Sequence, residues 1–284
     1  MTWFKDLWFI TSFYLQRCHW LSLDVVAGAM LTHVIASRLP DGHGRVSWAS
    51  TLCVGIAVFC IYVIDRLLDN HKSSPNTTPR HHFHAKNEGI LIKVIAALGV
   101  VGLLCLFWLP KQMFLVGVGL AFLVGLYLLV VFNISFAHQF LLFKEVLVAI
   151  IYTTGIWGTT LVASTTISWE NSTFMLLFGL VAFQNLLLFS WFESFDVEEG
   201  YSLAIIWGTE TITNILGWLF IVIVIAAICV VIFTIHRFCV RTAIVVTLMS
   251  LGLHLIKLQS KQVHANEQYR WLGDGVFLLA LWLL

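Results

Sequence analysis

Residues 47–69 read SWASTLCVGIAVFCIYVIDRLLD, an uncharged apolar run that ends abruptly in Asp65 and Asp69. As an α-helix rising about 1.5 Å per residue, this run is long enough to cross a hydrocarbon core of roughly 30 Å. It therefore predicts a transmembrane helix that carries two carboxylates at one membrane face.

Eight further runs are similar in length and apolar character. The nine predicted spans are approximately 21–39, 47–68, 90–109, 113–133, 141–163, 173–193, 211–235, 240–258 and 271–284. The composition agrees, because 60% of the 284 residues are hydrophobic and only 11% are charged, against about 25% charged in soluble domains. We expect an all-α, polytopic membrane helix bundle, with 21–284 as one transmembrane domain after an amphipathic, interfacial lead-in at 1–20.

Two of the connections between spans, 69–89 and 193–210, are long and polar, and both follow an even-numbered span. They must then lie on the same side of the membrane. Lys and Arg are concentrated on that side and at the N-terminus, which predicts that the N-terminus and both loops are cytoplasmic. We expect an integral, multi-pass protein whose active face is cytoplasmic.

Charge and cysteine content exclude two classes of function. The formal net charge is +1, which gives no indication of a nucleic-acid partner. None of the six cysteines forms a C-x-x-C pair, so neither a zinc site nor a disulfide framework is indicated.

The first candidate site is the acidic pair at the end of the second span. Asp65 and Asp69 are four residues apart, so their carboxylates share one helix face. A hard cation such as Mg²⁺, which takes oxygen ligands and retains positions for phosphate oxygens, suits this pair. The alternative is that both residues pair with Arg66 or Lys72 and only mark the membrane edge.

A second acidic group ends the sixth span. Glu193 and Asp196 are three residues apart, and Gly200 follows as a helix stop. With Asp65 and Asp69, these residues are candidate catalytic groups and ligands of one or two metal ions that bind a diphosphate. The alternative is a solvated acidic loop.

Basic residues accompany the acidic groups on the same predicted face. Arg66, Lys72, Arg80 and Lys144 are candidates for binding diphosphate oxygens that the metal leaves uncovered. Each is equally explained as a charge that only sets orientation.

Three polar residues within or beside the spans are weaker candidates for lining a substrate cavity. They are Asn185, Tyr152 and Asp274, the last at the cytoplasmic end of the final span. Hydrogen bonding between helices is the competing explanation for such residues.

Nine spans with carboxylates at the cytoplasmic ends of the second and sixth resemble the UbiA superfamily of intramembrane prenyltransferases. In that family the first motif reads N-x-x-x-D-x-x-x-D, and Asp65 and Asp69 match its two aspartates, with Ile61 in place of the asparagine. Arg80 is similar to an arginine downstream of that motif. Lys144 is similar to a basic residue at the start of the fifth span.

The second motif of the family departs further from this sequence. It is a D-x-x-x-D followed four residues later by glycine, and Asp196 and Gly200 match its last two positions. Phe192 stands at the other aspartate position, and Glu193 is displaced by one residue. The chain is therefore similar to a divergent member.

The resemblance implies an Mg²⁺-dependent prenyltransferase. Its substrates would be an isoprenyl diphosphate, whose allylic C–O bond ionises, and a lipophilic or aromatic acceptor that traps the carbocation in the membrane lipid environment. A terpene cyclase or an altered reaction on the same fold remains an alternative. A transporter or lipid-binding protein is a third, although its charges are expected deeper in the bilayer.

Overall fold

The computed structural model of the protein describes residues 16–72, 79–133, 143–164, 167–195, 203–264 and 267–284, and these are all-helical. The α-helices are α1 (Leu23–Arg38), α2 (Trp48–Lys72), α3 (Pro79–Cys105), α4 (Lys111–Asn133), α5 (Lys144–Thr153), α6 (Thr159–Ala163), α7 (Trp169–Glu193), α8 (Leu203–Trp207), α9 (Thr209–Phe233), α10 (Arg237–Leu258), α11 (Ser260–Val263) and α12 (Gln268–Gly275). A π-helical turn (Thr154–Gly158) joins α5 to α6, and a 3₁₀ helix (Val276–Leu283) continues α12.

Seven helical segments within the described ranges are long and apolar enough to cross a membrane. They are Trp48–Asn70, His82–Trp108, Lys111–Val130, Lys144–Ala163, Trp169–Glu193, Thr209–Phe233 and Arg237–Leu258. These correspond to the second through eighth predicted spans. The prediction of a polytopic all-α helix bundle is confirmed, and the long apolar helices indicate an integral, multi-pass membrane protein.

The first and ninth predicted spans are shorter helices. α1 has 16 residues, fewer than the roughly 20 that an α-helix needs to span the hydrocarbon core. The C-terminal helix is 8 residues of α12 followed by 8 residues of 3₁₀ helix. Because a 3₁₀ helix rises about 2.0 Å per residue, this segment reaches roughly 28 Å. The two helices pack closely, since a Cβ added at Gly28 would lie 2.6 Å from Cβ of Phe277.

The packed core lies among α1, α7, α10 and the C-terminal helix, where Ala29, Phe174, Leu187, Ala243 and Ala280 are fully buried. Half of the apolar window of α7 and of α10 is buried, against 11% for α3 and for α4. Apolar side chains of α3 and α4 therefore face outward, which is where a bilayer supplies an apolar solvent.

The polar stretch 69–89 contains more helix than expected. α2 continues to Lys72 and α3 begins at Pro79, so residues 79–89 are helical and not a loop. Apolar composition indicates only the part of a helix that lies in lipid, and the same helix can continue beyond the membrane. The start at Pro79 is also expected, because proline is favoured at the first helical position.

The second polar stretch, 193–210, is likewise divided by structure. α7 ends at Glu193, and the short α8 is followed by Gly208, whose positive φ of 82° allows the chain to turn directly into α9. The intervening residues 196–202, which include Asp196, lie outside the described ranges.

Candidate functional site

Two predicted carboxylates lie on the last two turns of α2, together with a cation. Nη1 of Arg66 lies 3.5 Å from Oδ2 of Asp69, a pair three residues apart on one helix. The charges that act on Asp69 are those of Asp65, Lys144, Arg66 and Arg80. The end of α2 therefore meets the start of α3 and the start of α5.

Arg80, in the first turn of α3, is an unusual buried cation. Its side chain is 7% exposed, and its Nε has no hydrogen-bond partner among the described residues. Burial, together with the nearby cations Arg66 and Arg270, lowers the pKa of Arg80 to about 9. A buried guanidinium surrounded by other cations favours an anionic ligand.

Lys144 begins α5 and faces the same region. Its electrostatic neighbours are Asp65 and Asp69 on α2 and the phenol of Tyr127 on α4. Three of the four predicted basic residues, namely Arg66, Arg80 and Lys144, thus meet around the acidic pair. The side chain of the fourth, Lys72, lies outside the described part of the structure.

Glu193, at the end of α7, forms an ion pair that the sequence did not reveal. Nη2 of Arg270 donates to Oε1 of Glu193 at 2.6 Å, and Nε of Arg270 lies 4.0 Å from Oε2 of Glu267. The guanidinium carbon also lies 5.3 Å from the centre of the Tyr269 ring. Burial alone would lower the pKa of Arg270, but the nearby Glu193 carboxylate raises this pKa above its usual value.

The Glu193 side chain remains 46% exposed, so this ion pair leaves its carboxylate accessible. Lys144 and Arg66 also act on Glu193, which places it in the same group of charges. We name this group the mouth cluster, after its position at one end of the bundle. Its members are Asp65, Arg66, Asp69, Arg80, Lys144, Glu193 and Arg270.

The mouth cluster provides carboxylate oxygens of the type that Mg²⁺ prefers. In the described part of the chain, however, its carboxylates do not form a group of three ligand atoms within 4.8 Å of one another. These residues would therefore supply only part of the ligands of an Mg²⁺ ion, and phosphate oxygens of a substrate would have to supply others. The predicted ligand Asp196 lies outside the described ranges.

A second polar group lies deeper in the bundle and includes all three predicted cavity residues. Asn185, Tyr152 and Asp274 line a cavity of about 20 Å³ together with Tyr62, which the sequence did not single out. Nδ2 of Asn185 donates to Oδ1 of Asp274 at 3.2 Å. This hydrogen bond joins two helices, but it satisfies only some of the polar atoms of Asn185, Tyr152 and Asp274.

Asp274 also belongs to a group of three possible metal ligands, with His19 and Asp24, whose ligand atoms all lie within 4.8 Å of one another. Nδ1 of His19 lies 2.6 Å from Oδ2 of Asp24, a hydrogen bond that the imidazole donates. We name the combined set the inner cluster. Its members are His19, Asp24, Tyr62, Tyr152, Asn185 and Asp274.

The two clusters share the same four helices. Tyr62 precedes Arg66 on α2 by four residues, and Asp274 follows Arg270 on α12 by four residues. On α5 and α7 the separation is eight residues, from Lys144 to Tyr152 and from Glu193 back to Asn185. Residues at these spacings lie on one helix face, about 6 Å and 12 Å apart along its axis. The inner cluster therefore lies one to two helical turns below the mouth cluster.

Sequence reasoning missed Arg270, Tyr62 and His19. The four-residue spacing between Arg270 and Asp274 was a signal, because it places both on one face of the last helix. The positions of Tyr62 and His19 had no comparable signal, since each comes close to Asp274 only after the helices have packed.

This helix bundle is similar in fold to a membrane enzyme of known structure. The solved structure of digeranylgeranylglyceryl phosphate synthase in membranes matches with a TM-score of 0.52, covering 90% of this chain and 92% of that chain at 15% sequence identity. The resemblance predicted from the sequence is confirmed as a similarity of fold. The chain matches no protein-family model and no curated protein sequence.

Proposed function

We propose that the protein is a membrane-embedded, Mg²⁺-dependent prenyltransferase that ionises an isoprenyl diphosphate and transfers the prenyl group to a lipophilic or aromatic acceptor. The observation that carries this proposal is the mouth cluster. Buried Arg80, with an Nε that lacks a partner among the described residues, lies beside Arg66 and Arg270 and acts on Asp69. Such a mixture of cations and carboxylates suits a diphosphate with its divalent counter-ion.

We assign the roles in this proposal from the charge of each side chain and from its place at the end of a span. Asp65 and Asp69 are the metal ligands, with Glu193 and Asp196 as further ligands from the sixth span. Arg80 and Lys144 bind diphosphate oxygens, and Arg66 and Lys72 support them. When bound, Mg²⁺ neutralises charge on the diphosphate and so makes it a better leaving group.

The protein's own contribution is electrostatic. Cations fixed in a site with little water stabilise the negative charge that grows on the departing diphosphate, without having to reorganise as the bond breaks. The apolar bundle below the mouth cluster accommodates the prenyl chain and shields the allylic cation from water.

The membrane arrangement belongs to the same proposal. We infer nine crossings, with α1 and the C-terminal helix as the first and ninth, and a cytoplasmic N-terminus preceded by an interfacial segment at 1–20. Residues 21–284 then form one domain, and the mouth cluster faces the cytoplasm, where soluble isoprenyl diphosphates and Mg²⁺ are available.

The test is the release of diphosphate from geranyl, farnesyl and geranylgeranyl diphosphate by protein in lipid nanodiscs. We expect release to require Mg²⁺ and to be lost in both Asp65→Asn and Asp196→Asn. Release that is absent from the wild type with all three substrates, or that is as fast in the variants, would contradict the proposal.

A further inference from the structure

Two cysteines meet where α2 packs against α3, at the opposite end of these helices from the mouth cluster. The side chains of Cys53 on α2 and Cys105 on α3 interact through a thiol–thiol hydrogen bond. Both cysteines are free thiols. Their positions along the sequence gave no sign of this pair, because the two thiols come together only when the helices pack.

Other contacts place α2 and α3 close together at the same level. The Cys53 thiol points toward the backbone carbonyl of Gly102, with Sγ 4.0 Å from the oxygen. A Cβ added at Gly102 would lie 3.6 Å from Cγ2 of Ile56. Since a residue without a side chain lets two helices approach closely, Gly102 allows Cys105, one turn further along α3, to reach Cys53.

Two tryptophans lie at this end of the helix pair. The ring centroids of Trp48 and Trp108 are 5.7 Å apart, and both residues are more than half exposed. Tryptophan is favoured at the boundary between lipid and water. Cys53 follows Trp48 by five residues, about 7.5 Å along α2. The thiol pair therefore lies just inside the apolar region, within reach of small molecules that enter from this side.

The two thiols differ in their access to such molecules. Cys105 is 4% exposed, whereas Cys53 is only partly buried. An oxidant therefore meets Cys53 first. A redox-sensitive cysteine is typically accessible and lies next to a second, resolving cysteine, and the Cys53–Cys105 pair has this arrangement.

We propose that Cys53 and Cys105 form a redox-sensitive pair, in which a peroxide oxidises Cys53 and Cys105 then closes a disulfide between α2 and α3. The inference goes beyond the proposed function and does not depend on it, because the pair lies about 18 Å along α2 from Asp65. The disulfide would join the two helices whose other ends carry Asp65 and Arg80.

The reaction consumes one peroxide molecule for each disulfide. The Cys53 sulfur takes one oxygen atom from hydrogen peroxide, which gives a sulfenic acid and releases a water molecule. The Cys105 sulfur then attacks the Cys53 sulfur, and the S–O bond breaks. The departing hydroxyl takes the Cys105 proton and leaves as a second water molecule. The two thiols are thus oxidised by two electrons in total, and the peroxide is reduced to water.

Proximity explains why this pair forms the disulfide. A thiol in apolar surroundings reacts slowly, because the thiolate is the nucleophile. The second step is intramolecular, however, and two reactants held in contact have a greatly raised effective concentration. A charged group is costly in the bilayer, so an uncharged peroxide reaches the pair more readily than a charged oxidant.

The experiment uses the full-length protein in lipid nanodiscs, incubated with hydrogen peroxide and then alkylated with N-ethylmaleimide in denaturant. Mass spectrometry of the unreduced digest reports which cysteines are linked. We expect a peptide pair joined through Cys53 and Cys105, which dithiothreitol separates. Cys60→Ser is the matched control, because Cys60 also lies on α2 and is partly buried, and this variant should form the same link.

Two further substitutions distinguish the roles of the two thiols. Both Cys53→Ser and Cys105→Ser should lose the link. In Cys105→Ser the sulfenic acid of Cys53 has no resolving thiol, so its adduct with dimedone should increase several-fold over that of the wild type. In Cys53→Ser the buried Cys105 should stay reduced and give no dimedone adduct.

Three results would overturn this inference. They are full alkylation of Cys53 and Cys105 in the peroxide-treated wild type, a link from Cys53 to a different cysteine, or a dimedone adduct in Cys105→Ser no larger than in the wild type. None of these results bears on the mouth cluster. The absence of diphosphate release would contradict the proposed function and leave the thiol pair unaffected.

Discussion

The mouth cluster and the inner cluster have four helices in common but differ in charge. The mouth cluster contains four cations, and Nε of three of them, Arg66, Arg80 and Arg270, has no hydrogen-bond partner among the described residues. The fourth cation is Lys144. The inner cluster has two carboxylates and one histidine around a cavity for a single small group. The excess of cations therefore makes the mouth cluster, and not the inner cluster, the place suited to an anionic ligand.

The largest effect expected is at the mouth cluster. Replacing Asp65 with Asn removes a metal-binding carboxylate and should slow Mg²⁺-dependent diphosphate release by at least about 100-fold, the order of loss seen when a charge-stabilising group is removed. The matched control is Asp41→Asn, because Asp41 is an exposed aspartate outside both clusters. A similar loss in this control would show that the effect does not depend on the site.

A smaller effect is expected for Arg80→Gln. The loss of a charge-assisted hydrogen bond should raise the Kd for geranylgeranyl diphosphate by about 10- to 100-fold. The melting temperature should stay the same or rise, because a buried cation without a full set of partners is removed. The exposed Arg45→Gln serves as the control, and a fall in melting temperature with an unchanged Kd would mean that Arg80 is structural.

The inner cluster depends on the packing of α1 against the C-terminal helix, which a glycine tests. A Cβ at Gly28 would lie 2.6 Å from Cβ of Phe277, whereas nothing lies within 4 Å of a Cβ at Gly117. Gly28→Ala should reduce the free energy of unfolding by about 1–3 kcal/mol through overpacking. Gly117→Ala should be neutral or slightly stabilising, and equal thermal stability of the two variants would contradict the packing of these helices.

The smallest effect concerns the ion pair between Glu193 and Arg270. Since Glu193 is 46% exposed, solvent screens the pair, and a double-mutant cycle with Glu193→Gln and Arg270→Gln should give a coupling of about 1 kcal/mol or less in unfolding. A coupling above about 2 kcal/mol would contradict this expectation and indicate that the pair is shielded from solvent.

Much of the fold was predictable because a bilayer imposes a simple requirement on sequence. Seven of the nine apolar runs correspond to helices long enough to span. The stretch 79–89 was not predicted correctly, because polar residues continue a helix beyond the lipid without any change of pattern. The number of membrane crossings also depends on whether the short α1 and the C-terminal helix cross the bilayer. Their apolar composition does not determine this, because both helices are also packed against the protein core.

The candidate site was predictable where one helix determines it. The four-residue spacing of Asp65 and Asp69 already places them on one face, and Arg66, Arg80 and Lys144 were identified by their position at span ends. Arg270 and Tyr62 depend on which helix ends meet, which is a tertiary property. The spacing of residues along one helix shows which side chains share a face of that helix. It does not show which side chains of a neighbouring helix lie against that face.

The central claim is that the mouth cluster, and not the inner cluster, binds the diphosphate. The most direct test measures the Kd for geranylgeranyl diphosphate with Mg²⁺ in Arg80→Gln and Asp274→Asn side by side. We predict that Arg80→Gln raises this Kd by about 10- to 100-fold and that Asp274→Asn leaves it unchanged. An unchanged Kd in Arg80→Gln, or an equal rise in both variants, would contradict this claim.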